Sequence, residues 1–147
     1  MGRGARRAIL NKPGPLDAEE WEFMRRHTVI GERILIAAPS LAHTAALVRS
    51  SHERHDGTGY PDGLSGEEIP LGASIIAVCD AFEAMTAERP YSAAISIADA
   101  LSELRRCSGS QFQPRVVTAF CELIERPGST ALEGRSEESL AGLTPAA

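Results

Sequence analysis

The sequence lacks any apolar run approaching the roughly 18 residues that a membrane-crossing helix needs, so no helical span is expected. Its start, Met1 to Ile9, carries Arg3, Arg6 and Arg7 with no apolar stretch behind them, which is not the pattern of a secretory signal. Cysteine is scarce: Cys79, Cys107 and Cys121 are odd in number and match no zinc framework in their spacing. Cys79 and Cys121 fall inside apolar helical patterns, so buried, reduced thiols and a cytoplasmic location are the expectation. No stretch alternates apolar and polar residues as a half-buried strand does. Lysine is nearly missing, leaving arginine to supply the positive charge. Arg3, Arg6, Arg7 and Lys12 load the start, but the rest is acidic and the net charge is −5. A solvated basic tail explains the start, and an acidic body argues against a nucleic-acid partner.

What is present is one domain's worth of soluble, globular sequence. The chain has 147 residues, 43% hydrophobic and 24% charged, with a mean hydropathy of −0.13. The helical signals come in order. Asp17 with Glu20 forms a capping box for a helix over 18–27, with Leu16, Trp21 and Met24 on its apolar side. Thr28 can cap a second short helix carrying Val29, Ile30, Ile34 and Leu35, stopped by Pro39. A third is expected over 40–54. Residues 55–70 hold four glycines and two prolines and must be a structured loop, and a loop that long inside a small domain is usually functional. Helical spacing returns over 71–87, 96–106 and 114–125. Residues 127–147, rich in Gly, Ser, Ala and Glu, read as a poorly ordered tail. The expectation is an all-α fold of five or six helices around one core.

Few residues stand outside the core pattern. Asp80 lies among apolar neighbours, where a carboxylate is costly unless paired or metal-bound. His27, His52 and Asp80 could together hold a metal, since ligands on different helices of a bundle often build hydrolytic centres. The plainer alternatives stay open: His27 as a packing or capping residue, His52 and Asp80 as a hydrogen-bonded pair. His43 and His55 are expected to face solvent, and Asp56 and Asp62 to form turns.

The stretch Ser51-His52-Glu53-Arg54-His55-Asp56-Gly57-Thr58-Gly59-Tyr60-Pro61-Asp62-Gly63-Leu64 closely resembles the signature of HD-GYP domains, bacterial members of the HD phosphohydrolase superfamily. The likeness extends back through Met24-Arg25-Arg26-His27-Thr28-Val29-Ile30-Gly31 to Ile9-Leu10-Asn11-Lys12-Pro13-Gly14. It runs forward through Ile69–Ala73, Ala77–Met85, Arg89-Pro90-Tyr91 and Gly109–Pro114. It covers residues 8 to about 124 in family order.

The resemblance implies the C-terminal portion of a helical HD-domain bundle with a structured GYP loop. Residues 8–126 would form the partial domain, and 1–7 an unmatched basic start. It also implies hydrolysis of a cyclic dinucleotide, typically cyclic di-GMP, at a centre of two or three ions. Mixed imidazole and carboxylate ligands suit iron or manganese. By motif position His27, His52 and Asp80 would be metal ligands. Tyr60 and Pro61 would line the substrate groove, and Arg89 would meet substrate phosphate. Glu53 would support a ligand or the loop through hydrogen bonds.

The departures are specific. The superfamily's His-Asp pair would lie just upstream of Ile9 and does not occur there. Ser51 stands where the family's first loop histidine would be, and a serine is a poor ligand for such metals. Ser92 stands where a basic phosphate contact is common, and Glu83 and Gln113 replace habitual aspartates. A bridged centre needs more donors than three residues supply, because each ion wants about four to six. The expectation is therefore a chain inactive alone; the other reading is a non-catalytic module binding a nucleotide or a signalling partner. Helices without their packing partners expose apolar stripes, so self-association is also expected.

Overall fold

The computed structural model describes residues 12, 14–15, 17–88 and 93–127. The basic start, Arg89 to Ser92 and the tail from 128 onward lie outside the described residues. Among the described residues five α-helices follow one another: α1 (Ala18–Ile36), α2 (Ala42–Arg49), α3 (Leu71–Thr86), α4 (Ile97–Arg106) and α5 (Pro114–Glu125). Single 3-10 turns lie at Pro39–Leu41 and Gly66–Glu68. Among the described residues there is no strand, only the isolated bridges Asp56–Ser65 and Ser108–Phe112. No described helix is long and apolar enough to cross a membrane.

The expected capping box opens α1: Asp17 accepts from the Glu20 amide at 3.0 Å, and the Glu20 carboxylate accepts from the Asp17 amide at 2.9 Å. The expected break at Thr28 does not occur. Thr28 is fully buried inside one 19-residue helix, and its hydroxyl donates to the Arg25 carbonyl one turn back at 3.2 Å. A threonine can satisfy its own hydroxyl in this way without ending a helix. Gly31, three residues on, lets α2 press against α1; a Cβ there would stand 2.8 Å from Val48 Cγ1.

The helix expected over 40–54 is shorter at both ends. Pro39 starts a 3-10 turn, and α2 stops at Arg49. The chain then turns because Glu53 is buried and needs donors, which only the following loop supplies. His52 and Glu53 thus sit beyond the helix end, at the base of the loop.

Helices α3, α4 and α5 enclose the main core of Val78, Phe82, Ala100, Leu101, Leu104, Phe112, Val116, Val117 and Cys121. Phe82 meets Phe120 edge to face, with ring centroids 5.1 Å apart. Burying a side chain such as Leu104 is worth about 2 kcal/mol. Only one face of α3 is covered, through Ala73, Ser74, Val78 and Phe82. Cys79 and Asp80 are therefore exposed, correcting the buried placement expected for both, whereas Cys121 is buried as expected. The loop is tied down from α5's side, as the His55 and Asp56 amides donate to the Gln111 and Ser110 carbonyls at 3.1 and 2.8 Å.

Candidate functional site

Two imidazoles and a phenol meet where α1, the end of α2 and the loop converge. His27, on α1, and His52, just past α2, have ring centroids 4.9 Å apart in an edge arrangement. Tyr60 stacks on His52 at 5.2 Å with the planes 17° apart, and His27 stands 6.4 Å from the Tyr60 ring. His27 Nδ1 is hydrogen-bonded to the Met24 carbonyl. A carbonyl only accepts, so Nδ1 holds a proton, and Nε2 is the nitrogen left to meet a ligand. His52 is half-buried. Desolvation pushes its pKa below the ordinary imidazole value, the nearby His27 pushes it the same way, and Asp80 opposes both. The two rings thus stand side by side, with the charged form of His52 disfavoured.

A cleft of about 390 Å³ opens beside them, with Trp21, His52, Tyr60, Asp80, Gln111 and Phe112 among its walls. Asp80 enters from the uncovered face of α3. Ser51 also reaches the cleft, but its hydroxyl donates to the Val48 carbonyl at 2.9 Å.

The loop carrying Tyr60 is held by carboxylates. Glu53, 4% exposed, accepts from the Asp62 amide at 2.7 Å and the Leu64 amide at 3.0 Å. The Tyr60 amide donates to the His52 carbonyl at 3.2 Å. Between these ties the loop backbone lies directly on residues 53 and 54. A Cβ at Gly59 would stand 2.3 Å from the Arg54 nitrogen, so only glycine fits. The Tyr60–Pro61 peptide is cis.

Asp56 behaves as the turn former expected: it accepts from the Thr58 amide and hydroxyl and pairs with Arg54. Those contacts hold its carboxyl well below the usual range, the Arg54 hydrogen bond most. Asp62 does more than turn. Arg49 grips it with two bonds of 2.6 and 2.7 Å and reaches Glu32 on α1 with a third of 2.6 Å. This clamp depresses the Asp62 pKa and raises that of Arg49. His43 is exposed as expected, but His55 is half-buried, with Nδ1 enclosed and unpartnered.

The donor chemistry of two imidazoles and a carboxylate fits a divalent transition metal. The geometry fits in part. His27 and His52 are side by side, and Asp80 acts on His52 electrostatically from the cleft wall. Yet among the described residues no three His, Cys, Asp or Glu side chains converge closely enough to hold one ion. Pro61 lies in the loop as expected, and Arg89 lies outside the described residues. Sequence reasoning missed Trp21 and Arg25 as neighbours of the cleft and Arg49 as the loop's clamp. Trp21 and Arg25 share one face of α1 at a spacing of four, on the helix that bears His27, and that spacing was the available signal.

The sequence matches the family model for the HD domain over residues 7–116. It is 45% identical over 117 residues to the cyclic di-GMP phosphodiesterase of Thermotoga maritima, covering 78% of this chain and 32% of that protein. It is 43% identical over 115 residues to the cyclic di-GMP phosphodiesterase response regulator RpfG of Xanthomonas campestris, covering 77% and 30%. Identity to the 3'3'-cGAMP-specific phosphodiesterase 3 of Vibrio cholerae is 40% over 117 residues, covering 80% and 25%. The chain thus spans a third or less of the length of these curated relatives. With the matching motif residues gathered around one cleft, the chain belongs to the HD domain family, in its HD-GYP type.

Proposed function

We propose that this chain forms the loop-bearing part of a metal-dependent cyclic dinucleotide phosphodiesterase centre, inactive by itself. The observation that carries the reading is the cluster of His27, His52 and Tyr60 beside a cleft walled by Asp80. His27 and His52 would hold an iron or manganese ion through their free nitrogens, with Asp80 closing from α3. A metal there would supply an activated hydroxide and polarise the phosphodiester. Tyr60, Pro61 and Arg89 would line the substrate groove. Glu53 would keep the loop in place without touching the metal. Names of the relatives support a cyclic dinucleotide as substrate: cyclic di-GMP for two and 3'3'-cGAMP for the third. The three free thiols fit work in a reducing cytoplasm.

The test separates binding from turnover. Manganese titration followed by electron paramagnetic resonance is expected to show weak binding that His52→Ala abolishes. Cyclic di-GMP incubated with the manganese-loaded chain is expected to remain uncleaved. Manganese binding unchanged by both His27→Ala and His52→Ala would sink the proposed centre.

A second reading, a non-catalytic nucleotide or partner module, is favoured by two observations: no described three-ligand group converges, and the Ser51 hydroxyl is turned to the backbone. It expects cyclic di-GMP to bind with no metal present. Exposed Ile30, Ile34 and Ile36 on α1 support self-association or a protein partner on that side. A concentration-independent monomer in sedimentation would remove the self-association.

A further inference from the structure

We propose that α1 contributes two ligand-recognition residues beyond the metal-ligand and loop residues named above: Trp21 as a stacking platform for a purine base and Arg25 as an anchor for phosphate. The inference rests on the cyclic dinucleotide reading above and names residues that would make this cleft recognise one.

Trp21 is the only tryptophan and stays 48% exposed on a wall of the cleft. A half-exposed indole in a concave site offers a flat face, which is what a nucleobase needs. Arg25 lies one helical turn further along the same side of α1. Its guanidinium carbon sits 5.6 Å from the centroid of the Tyr60 ring, and Tyr60 itself lines the cleft. Stacking occupies the face of a guanidinium and leaves its in-plane N–H donors free, in the fork that matches a phosphate. Among the described residues no carboxylate pairs with Arg25. Arg26, Arg49, Arg54, Arg105, Arg106 and Arg115 each have an acidic partner; among the described residues Arg33 and Arg126 have none either, but only Arg25 sits over the ring of a residue that lines the cleft. Arg25 is therefore a cation held in place by an aromatic ring, with its hydrogen-bonding edge unspent. Glu53, a buried carboxylate on the cleft wall, spends both oxygens on loop amides. One base and one phosphate spaced along a single helix turn match a nucleotide more closely than either contact alone.

The single tryptophan is its own reporter. Cyclic di-GMP, guanosine and inorganic phosphate are titrated separately against the full chain, with fluorescence and calorimetry as readouts. Cyclic di-GMP and guanosine are expected to quench Trp21, and phosphate to compete with cyclic di-GMP without quenching. Arg25→Ala is expected to weaken cyclic di-GMP binding about tenfold or more, the loss of a charge-assisted contact, while leaving guanosine binding unchanged. Arg25→Lys, which keeps charge but not the fork, is expected to fall between. Trp21→Ala, followed by calorimetry, is expected to weaken both guanine ligands, and Trp21→Phe to restore them. Far-UV circular dichroism checks that each variant folds. Cyclic di-GMP binding that survives both Arg25→Ala and Trp21→Ala at full strength ends this inference and leaves the nucleotide reading standing. A wild-type chain that binds none of the three probes ends both.

Discussion

The two halves of the molecule are built to different standards. Helices α3, α4 and α5 share a closed core in which Leu104, Val78 and Ala100 are fully enclosed. Helices α1 and α2 bury only Thr28 and Ala45, while Ile30, Ile34, Ile36 and Leu41 remain in contact with water. The candidate site lies across the seam. Asp80 comes from the well-packed half, His27 from the thin one, and His52 and Tyr60 from the chain between. The site's geometry thus depends on polar ties that hold the thin half to the loop, and less on hydrophobic packing. Substitutions that attack packing and substitutions that attack ties should separate cleanly.

The largest effect is expected in the dense half. Leu104→Ala leaves a cavity under α3 and α5 and is expected to cost about 3 kcal/mol in chemical denaturation. Ile34→Ala on α1, where the side chain is 67% exposed, is expected to cost less than about 0.5 kcal/mol. Equal costs would erase the contrast between the halves. Next comes Glu53→Ala. It strands the Asp62 and Leu64 amides, which are part-buried, so the expected cost lies at the lower end of the about 1–3 kcal/mol that a fully buried unpaired donor costs. Its particular signature is local: amide exchange at residues 59–64 should rise while the α4 and α5 amides stay protected. Uniform exchange across the chain would show that the loop and core unfold together.

A smaller effect is expected from Arg49→Ala, which releases Asp62 and Glu32 at once. These groups are partly solvated, so the stability loss is expected at about 1 kcal/mol. The functional reading is sharper than the energetic one. Arg49 is what links the loop bearing Tyr60 to the helix bearing His27. Loosening of the His27–His52–Tyr60 cluster should appear as altered imidazole proton shifts. Unchanged shifts would mean that the ring contacts hold themselves.

Much of this was legible in the residues, for physical reasons that differ by element. The capping box at Asp17 and Glu20, the loop dense in glycine and proline, and the apolar spacing of α4 and α5 are local signals, and the structure follows them. The motif residues His27, His52, Tyr60 and Asp80 were named from the sequence, and three of them sit in mutual ring contact. The failures came where a long-range contact overrides a local one. Thr28 reads as a cap but lies within a helix packed on α2. Residues 50–54 read as helix, but the appetite of the buried Glu53 for loop amides turns the chain. Asp80 and Cys79 read as buried because α3 is apolar on more faces than the domain covers. Helical periodicity reports which side of a helix is apolar; it does not report which side finds a partner.

The smallest expected effect is a titration, and it probes the seam directly. Burial and the neighbouring His27 depress the pKa of His52 below the ordinary 6.5, with Asp80 pulling the other way. The folded chain therefore binds fewer protons at His52 than the unfolded chain once pH drops below about 6.5. Stability from this residue is present above that pH and is lost as pH falls toward the depressed folded value. In chelator-treated protein, the His52 ring protons followed by NMR should titrate below 6.5. Replacing Asp80 with Asn removes the opposing charge and should lower the midpoint further, whereas His27→Ala should raise it. A midpoint that moves with neither substitution would mean that α1 and α3 do not approach His52 closely in solution, and the seam would then lie open rather than forming one site.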